Sequence, residues 1–407
     1  MLRSLLDVPG RIRDSFHREP HTHRPRERPV RMIDNLFLHV HPNRVSSNSL
    51  KPATTLGLGL ITICLFLVLT VTGLLLMFYY VPGVPEAYER MQDLIYVVPF
   101  GRLLRDIHRI AAEGMLISVL LHLLRVFFTG SYKPPAEFNW LVGLALLTLS
   151  LALSFTGYLL PWDQLSYWAI TVSAGILDYY PVIHEPMRNM LLGGRDVGQE
   201  ALLRFYVLHV FFLPGMTGVL IGYHVWRIRK DGGLAVQAQT NETSRDPVAL
   251  ASEAAAEGRR PAGGESVSSY PLLLWIEVSI FLAVVLVLLG LALAFPGRLG
   301  PLANPDHPPN PAKAPWYFVG IQELVSYSAA WGGVVVPVAL LLGCLLLPYI
   351  DCDPHGVGEW FSRHRRQTIG IGAALMLTLI ALTLIGAFAR GPNWQFYWPG
   401  QSWPIPP

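Results

Sequence analysis

Seven apolar runs, at about 53–80, 107–129, 140–160, 203–228, 271–295, 332–350 and 368–389, constrain this chain more than any other feature. Each is long enough to cross a hydrocarbon core of ~30 Å as a helix. Backbone polar groups in lipid must be satisfied within the segment, so helices are the expected form. The runs are numbered spans 1 to 7. Charged residues make up 14% of the chain, against about 25% in a soluble domain. That is too few to cover a water-facing surface. Disorder over most of the length is excluded on the same grounds. Three cysteines, Cys64, Cys344 and Cys352, are too few for a disulfide scaffold. The expected fold class is an all-α polytopic membrane protein.

Charge placement sets a direction. Residues 1–51 hold ten Lys/Arg, and more follow spans 4 and 6: Arg227, Arg229 and Lys230, then Arg363, Arg365 and Arg366. With seven spans these segments share one side, which the positive-inside rule makes the cytoplasm. The C-terminus then lies outside. No apolar core segment precedes about residue 53, so an uncleaved cytoplasmic N-terminus is expected. The first 50 residues are read either as an arm or as a surface helix. The 229–270 segment, rich in Ala, Glu, Gly and Ser, reads as a flexible joint. The 161–202 loop, rich in aromatics and prolines, reads as folded.

Four histidines stand inside two spans. His108 and His122 are 14 residues apart on span 2, and His209 and His224 are 15 apart on span 4. At 1.5 Å per residue these are separations of roughly 21 and 22 Å. Fourteen steps end about 40° short of whole turns and fifteen about 60° past, so each pair projects to roughly one face. Spans 2 and 4 run in the same sense, which sets His108 level with His209 and His122 level with His224. Intramembrane ionisable residues are costly and usually functional. Two imidazoles at each of two depths form the pattern for two bis-imidazole haems.

Glycines repeat the same interval. Gly59 and Gly73 lie 14 apart on span 1, and Gly143 and Gly157 lie 14 apart on span 3. Removing the side chain there lets a porphyrin edge approach the backbone. Arg105 stands three residues before His108 and Arg125 three after His122, where either suits an anionic propionate.

At this point the chain resembles cytochrome b of the Rieske/cytochrome b quinol-oxidising complexes. The resemblance covers roughly 35–390. It is carried by Arg105-x-x-His108 with His122-x-x-Arg125, and by Gly157-Tyr158-Leu159-Leu160-Pro161-Trp162-Asp163-Gln164 followed by Tyr167-Trp168-Ala169. Arg204-Phe205-Tyr206 before His209, Ile228-Arg229-Lys230 after His224, and Pro315-Trp316-Tyr317-Phe318 before span 6 add to it. Fourteen residues between the span 4 histidines, and three spans after the joint, resemble the plastid and cyanobacterial branch with its cytochrome b and subunit IV halves fused. The resemblance implies a four-helix haem-binding bundle plus a three-helix C-terminal part. The expected division is an arm at 1–52, a di-haem domain at 53–228, a linker at 229–270, a subunit IV-like domain at 271–389 and an outer tail at 390–407.

Two departures stand out. Where the plastid-type protein attaches a third haem through a cysteine, the alignment places Gly57, and Cys64 falls two turns deeper. No covalent third haem is expected. The quinol motif, usually Pro-Glu-Trp-Tyr, reads Ala314-Pro315-Trp316-Tyr317, so Pro315 replaces the proton-accepting glutamate. Asp163 and Glu323 are the candidates to take over, with Tyr317 beside them in the catalytic set. Asp163 is equally readable as a cap on the helix after span 3, and Glu323 as an interfacial acid.

The resemblance further implies two non-covalent b haems, held by His108 with His209 and by His122 with His224, and an outer quinol site built from Pro161, Trp162, Pro315 and Trp316. An inner quinone site would use Arg229, Lys230 and Asp34. The implied activity is a proton-translocating quinol:cytochrome c-type oxidoreductase in a bacterial inner membrane. Implied partners are a Rieske iron–sulfur protein, a c-type cytochrome or other high-potential acceptor, membrane lipid, quinol and a second copy of the complex; no nucleic acid is expected. The chain has no Cys-x-x-Cys-His and no Cys/His cluster set of its own. Two other readings stay open: a haem b membrane anchor of a dehydrogenase or hydrogenase, and a haem-free proton-coupled transporter. Asp351-Cys352-Asp353 with His355 reads as a turn, and Trp394, Trp398 and Trp403 as an interfacial aromatic belt.

Overall fold

The computed structural model describes residues 8–17, 44–180, 184–194, 196–231, 266–268, 270–353, 355–398 and 400–403. Asp34 and most of the 229–270 joint lie outside the described residues. Among those described, seven helices are long and apolar enough to cross a membrane: Leu58–Met77, Gly101–Phe128, Glu137–Leu159, Gln199–Lys230, Leu272–Ala294, Trp331–Ile350 and Arg363–Ala389. They are the seven expected spans, and the chain is an all-α polytopic membrane protein. Span 2 begins six residues earlier than its apolar run (Gly101 against 107), because Arg102, Arg105 and Asp106 extend it as a polar first turn.

Span 1 packs along span 2, span 3 along span 4, and spans 2 and 3 meet, so the first four helices form one bundle. Span 5 lies against spans 1 and 2, and span 6 against span 3. Only Leu288 and Ala292 of span 5 are buried; most of its remaining apolar surface faces outward, as a lipid-facing helix requires.

Three spans contain a π-turn. In span 4 it covers Leu208–Phe212, in span 6 Trp331–Val335, and in span 7 Ile385–Ala389. The first two have a plain cause. Pro214 and Pro337 follow directly, each lacking an N–H and crowding the carbonyl four residues back. A wider turn relieves both conflicts.

The bundle has two distinct ends. At the arm end, helix Val8–His17 touches the ends of spans 3 and 6, and Arg11 Nη1 donates to the Tyr349 carbonyl at 3.5 Å and to Cys352 Sγ. A short antiparallel ladder pairs Arg44–Ser46 with Ser266–Ser268, in the register Arg44↔Ser268. The Asp351 turn is not a surface turn. Lys133 Nζ lies 3.0 Å and Arg365 Nε 3.3 Å from its carboxylate, and the Tyr132 hydroxyl donates to Oδ2 at 2.5 Å. Burial works against the Asp351 carboxylate, yet Tyr132, Lys133 and Arg365 together hold its pKa below the usual range. Lys133 and Arg365 are almost fully buried, so this network ties the loop after span 2 and the turn after span 6 to the start of span 7.

At the other end, the loop end, the described residues of the 161–202 segment are folded as expected. Helices Gln164–Ile176 and His184–Leu192 pack with the amphipathic helix Glu86–Tyr96 around Leu94, Leu159, Trp162, Ile170, Leu202 and Phe205.

Candidate functional site

Spans 2 and 4 bring the four histidines together in level pairs. The His108 and His209 rings lie 6.2 Å apart, centre to centre, with planes at 74°. His122 and His224 lie 6.4 Å apart at 77°. A metal set between two imidazoles, with bonds of roughly 2 Å to each nitrogen, holds the ring centres about 6 Å apart. Both gaps have that size.

Hydrogen bonds fix which nitrogen is available at the loop end. His209 Nδ1 lies 3.0 Å from the Leu153 carbonyl, which can only accept, so Nδ1 carries the proton and Nε2 the lone pair. His108 Nδ1 lies 2.9 Å from Thr72 Oγ1, and that hydroxyl already donates to the Val68 carbonyl at 2.7 Å. The hydroxyl therefore accepts from His108 and leaves its Nε2 free to ligate. Thr156 Oγ1 stands 3.4 Å from His209 Nδ1. Sequence reasoning missed both threonines. Their signal is a repeated dipeptide, Thr72-Gly73 and Thr156-Gly157. At the arm end His224 Nδ1 is buried, with the ring turned to the Asn139 backbone.

Each of the four glycines faces one histidine. A Cβ on Gly157 would meet His209 Cε1 at 2.5 Å, and on Gly73 would meet His108 Cε1 at 3.3 Å. On Gly59 and Gly143 it would lie 3.6 Å from Cε1 of His122 and His224. The immediate neighbour of each missing side chain is thus an imidazole, which the glycine lets swing against the backbone of the flanking span. Donor type, spacing and clearance at both levels, and the tautomers at the loop end, fit a bis-imidazole haem.

The two arginines occupy opposite ends. Arg105 Nη1 donates to the Gly297 carbonyl at 3.3 Å, and Asp106 lies 3.8 Å away. Arg125 is buried, donating from Nε and Nη2 to the Thr54 carbonyl at 3.1 and 2.9 Å. It lines a cleft with His122, Asn139, Gly143, His224 and Asp231.

At the loop end the two long loops interlock. Trp162, with φ at +53°, accepts from Ala303 N at 3.2 Å through its carbonyl, and Gln164 N donates to the Pro301 carbonyl at 2.8 Å. Trp168 Nε1 donates to the Asn304 carbonyl at 3.1 Å. Pro161 and Trp162 are thereby set beside the segment leading to Pro315, which caps helix Trp316–Tyr327. Phe155 of span 3 meets Phe318 edge-on, 6.2 Å between centres. Burial pushes the Tyr317 phenol pKa up, with the charges of Tyr158 and Glu113 adding to the rise.

Asp163 and Glu323, the two candidate proton acceptors, both hold structural positions. Asp163 caps helix Gln164–Ile176 by accepting from Ser166 N at 2.9 Å, and its other oxygen accepts from Gly300 N at 3.1 Å. Glu323 is fully buried. It accepts from Arg390 Nη2 at 2.5 Å and Nε at 3.0 Å, from Tyr327 at 2.8 Å and from Trp394 Nε1 at 2.9 Å. Burial opposes its charge, but these donors hold its pKa below the ordinary glutamate value. Trp394 therefore serves this carboxylate, while Trp398 stays exposed. At the arm end, Arg229 Nε is buried without a hydrogen bond, and Lys230 lies over the Trp226 ring at 5.1 Å. Among the described residues no group of three His, Cys, Asp or Glu is placed to hold a metal ion.

Residues 113–301 match the family described as cytochrome b(N-terminal)/b6/petB. A chain of a solved hyperthermophilic respiratory Complex III is 25% identical to this one, and superposes with a TM-score of 0.70 over 90% of each chain.

Proposed function

We propose that this chain is a cytochrome b of the kind found in bc-type complexes, and that it moves electrons across the membrane between an outer quinol-oxidising site and an inner quinone-reducing site. The observation that supports this most is the pair of level imidazole gaps, 6.2 and 6.4 Å across. His108 with His209, and His122 with His224, would each hold one non-covalent haem b. When bound, the two haems supply a one-electron relay over the roughly 21 Å between the levels. Thr72 and the Leu153 carbonyl keep Nε2 of His108 and His209 free to ligate. Arg105 and Arg125 offer positive charge at the two levels.

The loop end is the outer side in this reading, with the quinol pocket walled by Pro161, Trp162, Pro315 and Trp316. Residues 53–228 form the di-haem unit, 271–389 the subunit IV-like unit, and 229–270 the link between them. The arm end carries the inner quinone site, with Arg229 near it. Asp34, also assigned there, lies outside the described residues. Quinol gives one electron towards a Rieske iron–sulfur partner and a c-type or other high-potential acceptor. The other crosses the bundle, and the net result is proton transfer outward. No thioether-linked third haem belongs to this reading: Gly57 begins span 1, and Cys64 is buried within it.

The test is spectroscopic. The purified complex is examined by reduced-minus-oxidised and pyridine haemochrome spectra, before and after acid–acetone extraction. Two extractable b haems per chain are expected. A colourless chain would return the case to a haem-free transporter, and haem retained on this chain itself after extraction would contradict the Gly57 alignment.

A further inference from the structure

The head of span 2 gathers three arginines, Arg102, Arg105 and Arg109, around one acid, Asp106. The Asp106 side chain is 1% exposed, and its oxygens lie 4.0, 3.8 and 3.5 Å from those three guanidinium groups in turn. One carboxylate cannot neutralise three cations, and its hydrogen bond comes from the backbone instead. Gly297 N donates to Asp106 Oδ1 at 2.9 Å. The turn after span 5 is thereby held on the head of span 2. Arg105 Nη1 donates to the Gly297 carbonyl at 3.3 Å, and Arg109 Nη2 to the Phe295 carbonyl at 2.8 Å. A Cβ on Gly297 would meet Asp106 Oδ1 at 2.6 Å and Arg109 Nε at 2.7 Å, so a glycine lets the turn seat this closely.

The seated turn carries a fourth arginine across. Arg298 and Arg102 line one cavity of about 330 Å3, together with Ile95, Tyr96, Gly297 and Leu299. Small-molecule sites run from about 300 to 1,000 Å3, so this one has room for a small headgroup. Among the described residues Arg298 closes no hydrogen bond or ion pair, and Arg102 has only its 4.0 Å contact with Asp106. Two guanidinium groups therefore face one space with donors to spare.

We propose that this cavity binds the phosphate of an anionic membrane phospholipid, gripped between Arg102 and Arg298. The depth suits it. Arg102 is the second residue of span 2, and Arg298 comes four residues after span 5 ends at Ala294. Both stand where a span leaves the hydrocarbon and enters the headgroup region. Guanidinium groups present paired donors that match phosphate oxygens. Tyr96 is exposed and sets an amphipathic ring at the same level. Val97, Phe100 and Phe295, neighbours of the lining residues in the chain, are exposed as well. Such apolar surface suits an acyl chain and offers nothing to an inorganic anion. Arg105 and Arg109, fixed on carbonyls, add positive charge behind the cavity. The site requires only that the loop end lie at a membrane surface, and is independent of what the histidines hold.

The test uses the complete complex, delipidated in detergent, as wild type, as Arg298→Gln, and as Arg102→Gln combined with Arg298→Gln. Phosphatidylglycerol with a photoactivatable acyl chain is titrated in, with the matching phosphatidylcholine and with inorganic phosphate in parallel arms. Labelled peptides are mapped by mass spectrometry. Saturable labelling by phosphatidylglycerol is expected within residues 95–100 and 293–299 of the wild type. Arg298→Gln should weaken it about tenfold and the double variant about 100-fold, while labelling elsewhere on the spans stays constant. No saturable labelling there in wild type, equal labelling in the double variant, or equal affinity for phosphatidylcholine would overturn the proposal. Displacement of the lipid by inorganic phosphate at equal concentration would overturn the lipid as occupant and identify a free-anion site. Should the double variant fail to assemble, undiminished labelling of Arg298→Gln overturns the proposal equally.

Discussion

Gly157 and His209 approach so closely that a methyl group on the glycine would meet Cε1 of the ring at 2.5 Å. At Gly73 the same methyl would stand 3.3 Å from His108, and at Gly59 and Gly143 it would make an ordinary contact at 3.6 Å. Overpacking a tight site costs about 1–3 kcal/mol. Gly157→Ala is therefore expected to displace His209 and deplete haem at the loop end, Gly73→Ala to do so more mildly, and Gly59→Ala and Gly143→Ala to keep a full complement. Haem counts and low-temperature spectra of the four variants check the order. Equal haem content in all four would show that the rings yield freely.

Thr72 touches one of the four proposed haem ligands. Its hydroxyl accepts from His108 Nδ1 while donating to Val68. Thr72→Val keeps the shape and removes the acceptor, which makes the imidazole less basic and less able to stabilise the oxidised metal. The midpoint potential of the loop-end haem should rise, by about 59 mV for each tenfold loss of ferric preference, with the arm-end haem unmoved. A spectroscopic redox titration reads both. A shift of both together would mean the effect is global.

Much of this was visible in the sequence because the signals are local. An apolar run of 20 residues declares a span, and histidines 14 residues apart on one helix declare a face. What escaped depends on partners far along the chain. Glu323 was readable as an interfacial acid because Arg390 and Trp394, 67 and 71 residues away, seal it. The Asp351 turn looked like surface because Lys133 comes from the loop after span 2 and Arg365 from the start of span 7.

The buried Glu323–Arg390 pair anchors helix Trp316–Tyr327 against the end of span 7. Removing one member leaves the other charge buried, which typically costs about 3–5 kcal/mol. Arg390→Ala should lower the thermal midpoint of the complex more than Glu323→Gln with Arg390→Ala combined. The pH dependence has a definite sign. Glu323 has a depressed folded pKa, so its contribution is complete above the unfolded value of about 4.3 and is lost as pH falls through the folded value. Wild type should lose stability with acidification below that point, and Glu323→Gln should respond less steeply. Parallel curves for the two proteins would contradict the pairing.

The histidines of span 4 are 15 positions apart where those of span 2 are 14, a difference of about 100° of helical rotation. The rings nonetheless meet their partners at nearly equal distances, 6.2 and 6.4 Å. The π-turn at Leu208–Phe212 contains His209 and closes i→i+5, so it takes up the additional residue. Pro214 was its sequence signal. Phe211 lies within this turn and points outward, 76% exposed. Deleting Phe211 should convert the π-turn to an α-turn and leave both imidazole pairs aligned, so two haems per chain are expected. Inserting one alanine after Phe211 should rotate His209 out of line and remove the loop-end haem alone. Haem stoichiometry decides between them. If the deletion loses the loop-end haem, the π-turn is fixing His209 by more than register.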